Sequence, residues 1–485
     1  MERMTGLDAS FLYLETPTQH LHVCALLILD PAASDAGYSY AAVQTELACR
    51  LDLVPQMRRR IREVPLNLDH PVWVDDPKFD LDNHIHRAGL PAPGERTELA
   101  ELVADIASTP MDRNRPLWEM TFVEGLADGR IAVVCKYHHA AVDGVTAADM
   151  LLSLCDLGHD AARTAESSRW TPEPQPPDWK LLTDAAVRLP TKAGVLGMVP
   201  KTLGILAGFA ERRRKKQRGM ALPLTAPRTP LNGAIGARRT VAFVESRLDT
   251  VKEIKKSFGV TVNDVVMTIV GGVLRDYLGK HDELPDRSLI ASVPVSVHGQ
   301  TRHTDGINKV SSLFTELGTD IADPVERLRA VALANRHAKR EHEELGADFL
   351  RDWSKYAPPN AFRFAARMYD SLRLAERHPV VHNLVVSNVP GPPMPLNFLG
   401  VRVASMFPFG PVFHGAGLTV TVLSIDGRLD FGFIASRDLV PDISALADAV
   451  PAAVDELLVA ARESTDRRTS DSRDRHAHRE YGDRR

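Results

Sequence analysis

Two adjacent histidines ahead of a glycine-closed turn, His138-His139-Ala140-Ala141-Val142-Asp143-Gly144, are the residues of this chain best suited to proton chemistry. A free imidazole titrates near pH ~6.5, so it can take a proton and return it within one turnover. A sugar, glycerol or alkyl hydroxyl is a poor nucleophile until such a base acts on it. The pair ends a β-rich run, Ile131 to Tyr137, and precedes a helical stretch, a position where α/β folds commonly hold active residues. Neighbouring side chains on a strand point to opposite faces, so His138 and His139 cannot easily serve one reacting atom together. One is expected to face a cavity while the other packs or hydrogen-bonds inside. Asp143, in the turn closed by Gly144, is expected to orient the loop and not to relay protons. The competing reading makes both histidines partly buried structural residues. A metal site is disfavoured, because adjacent strand histidines chelate poorly and no third ligand follows at helical spacing. No GxSxG elbow or P-loop is present, and Gly415-Ala416-Gly417 lacks the context of a dinucleotide fold.

The elements that must hold this pair alternate between strand and helix. Val23 to Leu29 reads as a buried strand. Thr97 is expected to cap a helix whose face carries Leu99, Leu102, Val103 and Ile106. Ala148, Leu151, Leu152 and Cys155 mark a further helical face. From Gly158 the character changes to prolines, a glycine-containing apolar stretch and the basic cluster Arg212 to Arg218, read as a crossover between domains. Regular structure resumes with a strand at Thr240 to Val244. Helices follow around Val251 to Phe258, stopped at Gly259, and around Val266 to Tyr277. A strand is expected at Leu289 to Val297 and a long helix after Asp323-Pro324. Four strands are expected at Leu384 to Val386, Val401 to Met406, Gly417 to Leu423 and Leu429 to Ile434. The domain reading is therefore 1–157, a crossover at 158–238, 239–461, and a charged, apolar-poor tail at 462–485, expected to be disordered. The fold class is mixed α/β (α+β).

Composition bounds the partners. The 485 residues suit about two to three domain-sized units. A hydrophobic share of 44%, a charged share of 25% and a net charge of -4 fit a globular protein with no basic field for nucleic acid. Cys24, Cys49, Cys135 and Cys155 form no CxxC pair and no zinc spacing, which suits a reducing compartment. Met1 to Leu14 lacks the apolar run of a secretory signal, and Ala193 to Ala210 is too interrupted to span a bilayer. The expected location is cytoplasmic, with any membrane contact peripheral.

His138 to Gly144 resembles the HHxxxDG motif of the CoA-dependent acyltransferases, which include chloramphenicol acetyltransferase, carnitine acyltransferases and peptide-synthetase condensation domains. Other segments narrow the resemblance to the bacterial wax ester synthase/acyl-CoA:diacylglycerol acyltransferase family. Pro116-Leu117-Trp118 resembles its PLW motif. So, in family order over roughly residues 4 to 460, do Leu7 to Leu12, Trp73 to Asp76, Asn263-Asp264, Val293 to Ser296 and Ser387 to Pro392. The resemblance implies two chloramphenicol-acetyltransferase-like domains, joined by a long crossover, with an active-site tunnel at their interface. It implies His139 as catalytic base, His138 as its partner and Asp143 as a structural residue, with no acyl-enzyme and no cofactor. It implies long-chain acyl-CoA as donor substrate and diacylglycerol as acceptor, giving triacylglycerol. Fatty alcohols are the nearest alternative acceptor. A carrier-protein-dependent polyketide- or peptide-associated acyltransferase, and a non-catalytic lipid-binding protein, are the other readings.

Each supporting motif also has a plain structural reading. Asn263 or Asp264 can simply cap the following helix, and Pro116-Leu117-Trp118 can be a core or interface plug. Two departures touch the resemblance: His298 stands where the family has arginine, and Gly306-Ile307-Asn308 replaces an adjacent Gly-Asn. The cluster Arg212 to Arg218 is either a solvated helix end or a dock for the inner membrane face or lipid droplets, each basic residue adding about 1 kcal/mol near an anionic surface.

Overall fold

A computed structural model describes residues 1–34, 37–142, 150–156, 170–192, 221–296, 310–345 and 358–464. Asp143, Gly144, Arg212 to Arg218, His298 and Gly306 to Asn308 lie outside the described residues.

Two large sheets dominate. The first has seven strands in the order β5-β6-β7-β2-β14-β13-β8. These are β2 (His22–Asp30), β5 (Ile85–Gly89), β6 (Trp118–Glu124), β7 (Ile131–His138), β8 (Cys155–Asp156), β13 (Asn397–Phe398) and β14 (Val401–Phe409). Strand β2 shows why the sequence sits where it does. Ala25, Leu27 and Leu29 enter one apolar cluster, while Cys24, Leu26 and Ile28 enter another on the opposite face. A strand buried on both sides reads as a continuous apolar run. Helix α1 (Gly6–Leu14) precedes it. α2 (Tyr40–Arg50) covers one face through Val43 and Leu47, and α3 (Arg96–Ser108) covers the other through Leu99, Val103 and Ala107. A small sheet of β1 (Glu2–Arg3), β4 (Val72–Asp75) and β3 (Arg59–Arg62) lies beside them. Leu181 and Ala185 of α4 (Asp178–Lys192) pack there on Val64, Val72 and Val74.

The second sheet runs β11-β10-β12-β15-β16-β9. Its strands are β9 (Arg239–Arg247), β10 (Ile290–Ser296), β11 (Val310–Glu316), β12 (Leu384–Pro390), β15 (Leu418–Ile425) and β16 (Arg428–Ser436). Its largest apolar cluster joins α5 (Leu248–Phe258), α6 (Val262–Lys280), α7 (Pro324–Leu345) and α9 (Ser444–Asp448). α8 (Pro359–Ser371) packs instead against α1. Gly259 ends α5 in the left-handed region at φ 67°, where glycine carries no Cβ penalty. Asp323 accepts from the Val325 and Glu326 amides and so caps α7, as its place before Pro324 predicts.

Four local expectations are corrected. The cap of α3 is Glu95, which forms a reciprocal box with Glu98, so Thr97 lies inside the helix. Cys155 is in a strand, opposite Phe398, because the short helix before it gives way to pairing at the sheet edge. The terminal helix continues through 464, and Arg462 there donates to Glu253 at 3.0 Å, so the tail boundary at 462 falls inside a helix. Strand pairing also crosses the division drawn at 239: β13 and β14 belong by pairing to the first sheet.

That crossing welds the two sheets. Strand β14 pairs antiparallel with β2, from Arg402 opposite Asp30 to Phe409 opposite Cys24. It also lies on β16: a Cβ at Gly432 would meet the Pro408 carbonyl oxygen at 2.0 Å. The Met406 amide donates to Asp430 Oδ2 at 2.8 Å, and the rings of Phe243 and Phe407 lie 4.7 Å apart. Burial raises the Asp430 carboxyl to about 7, the Met406 amide and Arg428 offsetting only part of that cost.

Candidate active site

The two histidines at the end of β7 have different surroundings. His138 is fully buried and stands opposite His22 on β2. Its amide donates to the Leu117 carbonyl at 3.1 Å, so the middle residue of the Pro116-Leu117-Trp118 segment anchors the pair from behind. His138 Nδ1 accepts from the Ala140 amide at 3.0 Å, which fixes the proton of the neutral ring on Nε2. That nitrogen donates to Glu15 Oε2 at 3.3 Å. Arg113 donates to the same carboxylate through Nε at 2.8 Å and through a second guanidinium nitrogen, and to the Leu12 carbonyl at 3.0 Å. Burial alone would raise the Glu15 carboxyl, but His138 and Arg113 together bring it down to about 2. Glu15 Oε1 also lies 3.8 Å from His22 Nε2.

His139 is half-buried, and its amide donates to the Leu21 carbonyl at 2.8 Å. Its ring stacks on Phe11, with centroids 4.0 Å apart and planes 14° from parallel. Phe11 and Glu15 are four residues apart at the end of α1, so one helix serves both histidines. Thr5 caps that helix by accepting from the Asp8 amide. A locked, buried imidazole thus carries the turn, beside a half-buried one stacked on Phe11.

The inner face of β7 continues with Lys136, two residues before His138 and also buried. Its ammonium reaches Glu119 at 2.8 Å and the Ile106 and Thr109 carbonyls at the C-terminus of α3, where a cation is favoured. Burial, helped by the charge of Arg239, lowers His20 to about 4, and burial beside His138 lowers His22 well below its usual range. Both are therefore neutral at neutral pH.

The other predicted residues fall into two groups. Trp118 is core: it stacks on His84 at 4.6 Å and donates to the Met57 carbonyl at 2.7 Å. Pro116 is buried beside it. In the second group Thr261 caps α6 and Asp264 completes the capping box. Asp264 Oδ1 accepts from Asn335 at 2.8 Å, and Asn335 in turn accepts from Thr315. Asn263 accepts from Asn388 at 3.4 Å, which joins the Asn263-Asp264 segment to Ser387 to Pro392. The hydrogen-bond partners of His138 are Glu15, Ala140 and Leu117, none of them in this group. Among the described residues, no cluster of three His, Cys, Asp or Glu could hold a metal. Sequence reasoning missed the roles of Glu15, Arg113 and Phe11. The one signal for Glu15 was its place four residues after Phe11, on the turn that follows an apolar helix.

Two mixed sheets with a histidine pair at a strand end are a fold shared with a solved O-acetyltransferase. The fold matches the trichothecene 15-O-acetyltransferase of Fusarium sporotrichioides with a TM-score of 0.55 at 13% identity, over 95% of this chain and 94% of that one. The chain belongs to the wax ester synthase/diacylglycerol acyltransferase family: its catalytic-domain model matches residues 4–266 and its C-terminal-domain model residues 307–458. A Mycobacterium tuberculosis protein named a candidate diacylglycerol O-acyltransferase is 41% identical, over 94% of this chain and 90% of that one. Another from that organism, named likewise, is 34% identical over 91% and 92%. The solved wax ester synthase/diacylglycerol acyltransferase from Marinobacter aquaeolei VT8 is 27% identical, with a TM-score of 0.67 over 95% of this chain and 99% of that one.

Proposed function

We propose that this acyltransferase moves a long-chain acyl group from acyl-CoA to the free hydroxyl of a diacylglycerol, making triacylglycerol, with His139 as general base. The observation that carries the assignment is the division of labour within the pair: His138 is committed to Glu15 and the backbone, while His139 is half-buried and steadied by Phe11. In the step, an imidazole nitrogen of His139 takes the hydroxyl proton as the oxygen bonds to the thioester carbonyl carbon. The carbon–sulfur bond then breaks, and the imidazolium returns the proton to the CoA thiolate. The proton balance closes without an acyl-enzyme or a resident cofactor. Asp143 and Gly144 would hold the turn beyond the base. The relatives' names support the diacylglycerol acceptor, and the Marinobacter neighbour's name supports a long-chain alcohol as a second acceptor. The enzyme would work from the cytoplasmic side, peripherally on a membrane or lipid droplet, without nucleic acid.

The test is release of free CoA from palmitoyl-CoA, with diacylglycerol and hexadecanol offered separately, for wild type and His139→Ala. Release that needs an acceptor and falls about 10²–10⁴-fold in the folded variant supports the general base. Full activity in the variant removes His139 from that role, and no turnover with either acceptor removes the storage-lipid reading.

A further inference from the structure

Helix α8 carries an apolar stripe on its outer side. Phe364, Ala365 and Met368, with Leu372 at its C-cap, are exposed and recur at helical spacing, within an arc of about 100°. The side turned to the protein is already filled: Phe362 lies 6.0 Å from Tyr13, and Arg363 sits over the Tyr13 ring and donates to Glu63 at 2.6 Å. Phe364 remains 66% exposed. A surface helix ordinarily turns its apolar stripe to the core, so one left outside marks an interaction face.

Two neighbouring elements repeat the pattern. Leu66 is 77% exposed and held at φ 58°, a left-handed conformation that costs a leucine roughly 1–2 kcal/mol. Asn360, in the first turn of α8, donates to the Leu66 carbonyl at 3.0 Å and ties this turn to the helix. On α4, Leu181 and Ala185 pack on Val64, while Trp179 and Val187 stand out with 67% and 79% of their surface exposed. Along α8 and the turn after it, the unpaired charge is cationic. Arg363 and Arg373 are matched by Glu63 and Glu376, but among the described residues no carboxylate pairs with Arg367 or Arg377.

We propose that this face, built by α8, the Leu66 turn and α4, docks on an anionic lipid bilayer. The apolar side chains enter the acyl boundary and Arg367 and Arg377 meet lipid phosphates. The inference rests on the lipid acceptor proposed above, a substrate dissolved in that bilayer. It also gives the docking a direction: α8 packs on α1, and Phe11 of α1 stacks on His139, so the docked face is one helix away from the base.

The experiment is flotation of the full chain with vesicles of phosphatidylcholine, with and without phosphatidylglycerol. Wild type is compared with the triple variant Phe364→Ser, Met368→Ser, Leu372→Ser and with Arg367→Glu, Arg377→Glu. CoA release on detergent-dispersed substrates reports folding and catalysis separately. The triple variant is expected to lose at least about tenfold in vesicle partition, and the charge-reversal variant to lose its preference for anionic vesicles, both with detergent activity kept. Unchanged partition in the folded triple variant overturns the proposal. So does a wild-type dimer that ignores vesicles and falls to monomers in the triple variant, which would make a second copy the occupant. Should the triple variant not fold, an anionic preference retained by the charge-reversal variant overturns it alone. Vesicle binding without any acyl transfer would leave the docking face standing and remove the proposed reaction.

Discussion

Glu15→Gln keeps the shape of the side chain and removes the charge on which His138 and Arg113 converge. The wild-type carboxyl falls from its ordinary 4.5 to about 2 on folding. A difference of about 2.5 units at ~1.36 kcal/mol each amounts to roughly 3 kcal/mol of stability. Solvent screening takes little from it, since the side chain is only 10% exposed. The folded value is the lower one, so this stabilisation is complete above about 4.5 and is lost as pH falls through about 2. The assay is thermal unfolding of both proteins across pH, with CoA release beside it. The variant should melt lower by a constant margin from neutral pH to about 5, and the margin should close on further acidification. Turnover should also fall, because the turn bearing His139 hangs on the locked His138. Equal melting at neutral pH, or a margin indifferent to acid, would show that the buried carboxylate does not organise the pair.

Phe11→Leu should lower kcat more than it raises KM, because leucine fills the space without the flat ring on which His139 stacks; a kcat equal to that of the wild type counts against it. The depressed value of His20, about 4, makes the fold lose stability as pH drops from about 6.5 toward 4, where the unfolded chain takes up a proton that the folded chain refuses. His20→Leu should flatten the melting temperature over that window, and an unaltered slope would place its origin elsewhere. Gly432→Ala should cost about 1–3 kcal/mol in denaturant unfolding, since its methyl would meet the Pro408 carbonyl. Ending the chain after Arg462 should leave CoA release nearly intact, and a large loss in folded protein refutes this.

What could be read from the sequence was local. Apolar runs gave the strands at 22–30 and 131–138 to within a residue or two, and Gly259 and Asp323-Pro324 announced a helix end and a helix start. That one histidine of the pair would pack inside, as His138 does, followed from strand geometry alone. The partners that distinguish the two did not. Arg113 lies 98 residues from Glu15, and Glu15 lies 123 residues from His138, and no short spacing encodes such meetings. The cap of α3 was misplaced because threonine is the commoner cap, and here Glu95 and Glu98 satisfy each other's amides instead. Strand β14 was found as a strand, but its sheet was not, since an apolar stretch carries no address for a partner almost four hundred residues earlier.

The placement of β14 has a consequence for how the chain is made. Until residues 401–409 leave the ribosome, β2 has an open edge, with unpaired amides and carbonyls along the strand that seats His22 opposite His138. The N-terminal half is therefore born sticky. It must wait for residues 401–409 before its sheet is closed, and domains that normally fold in order of synthesis cannot do so here. Expressed alone, residues 1–157 should aggregate or recruit a foreign strand, whereas adding the segment 397–409 as a separate peptide should restore solubility. The histidine pair thus gains its full support only once the second half of the chain has supplied this strand.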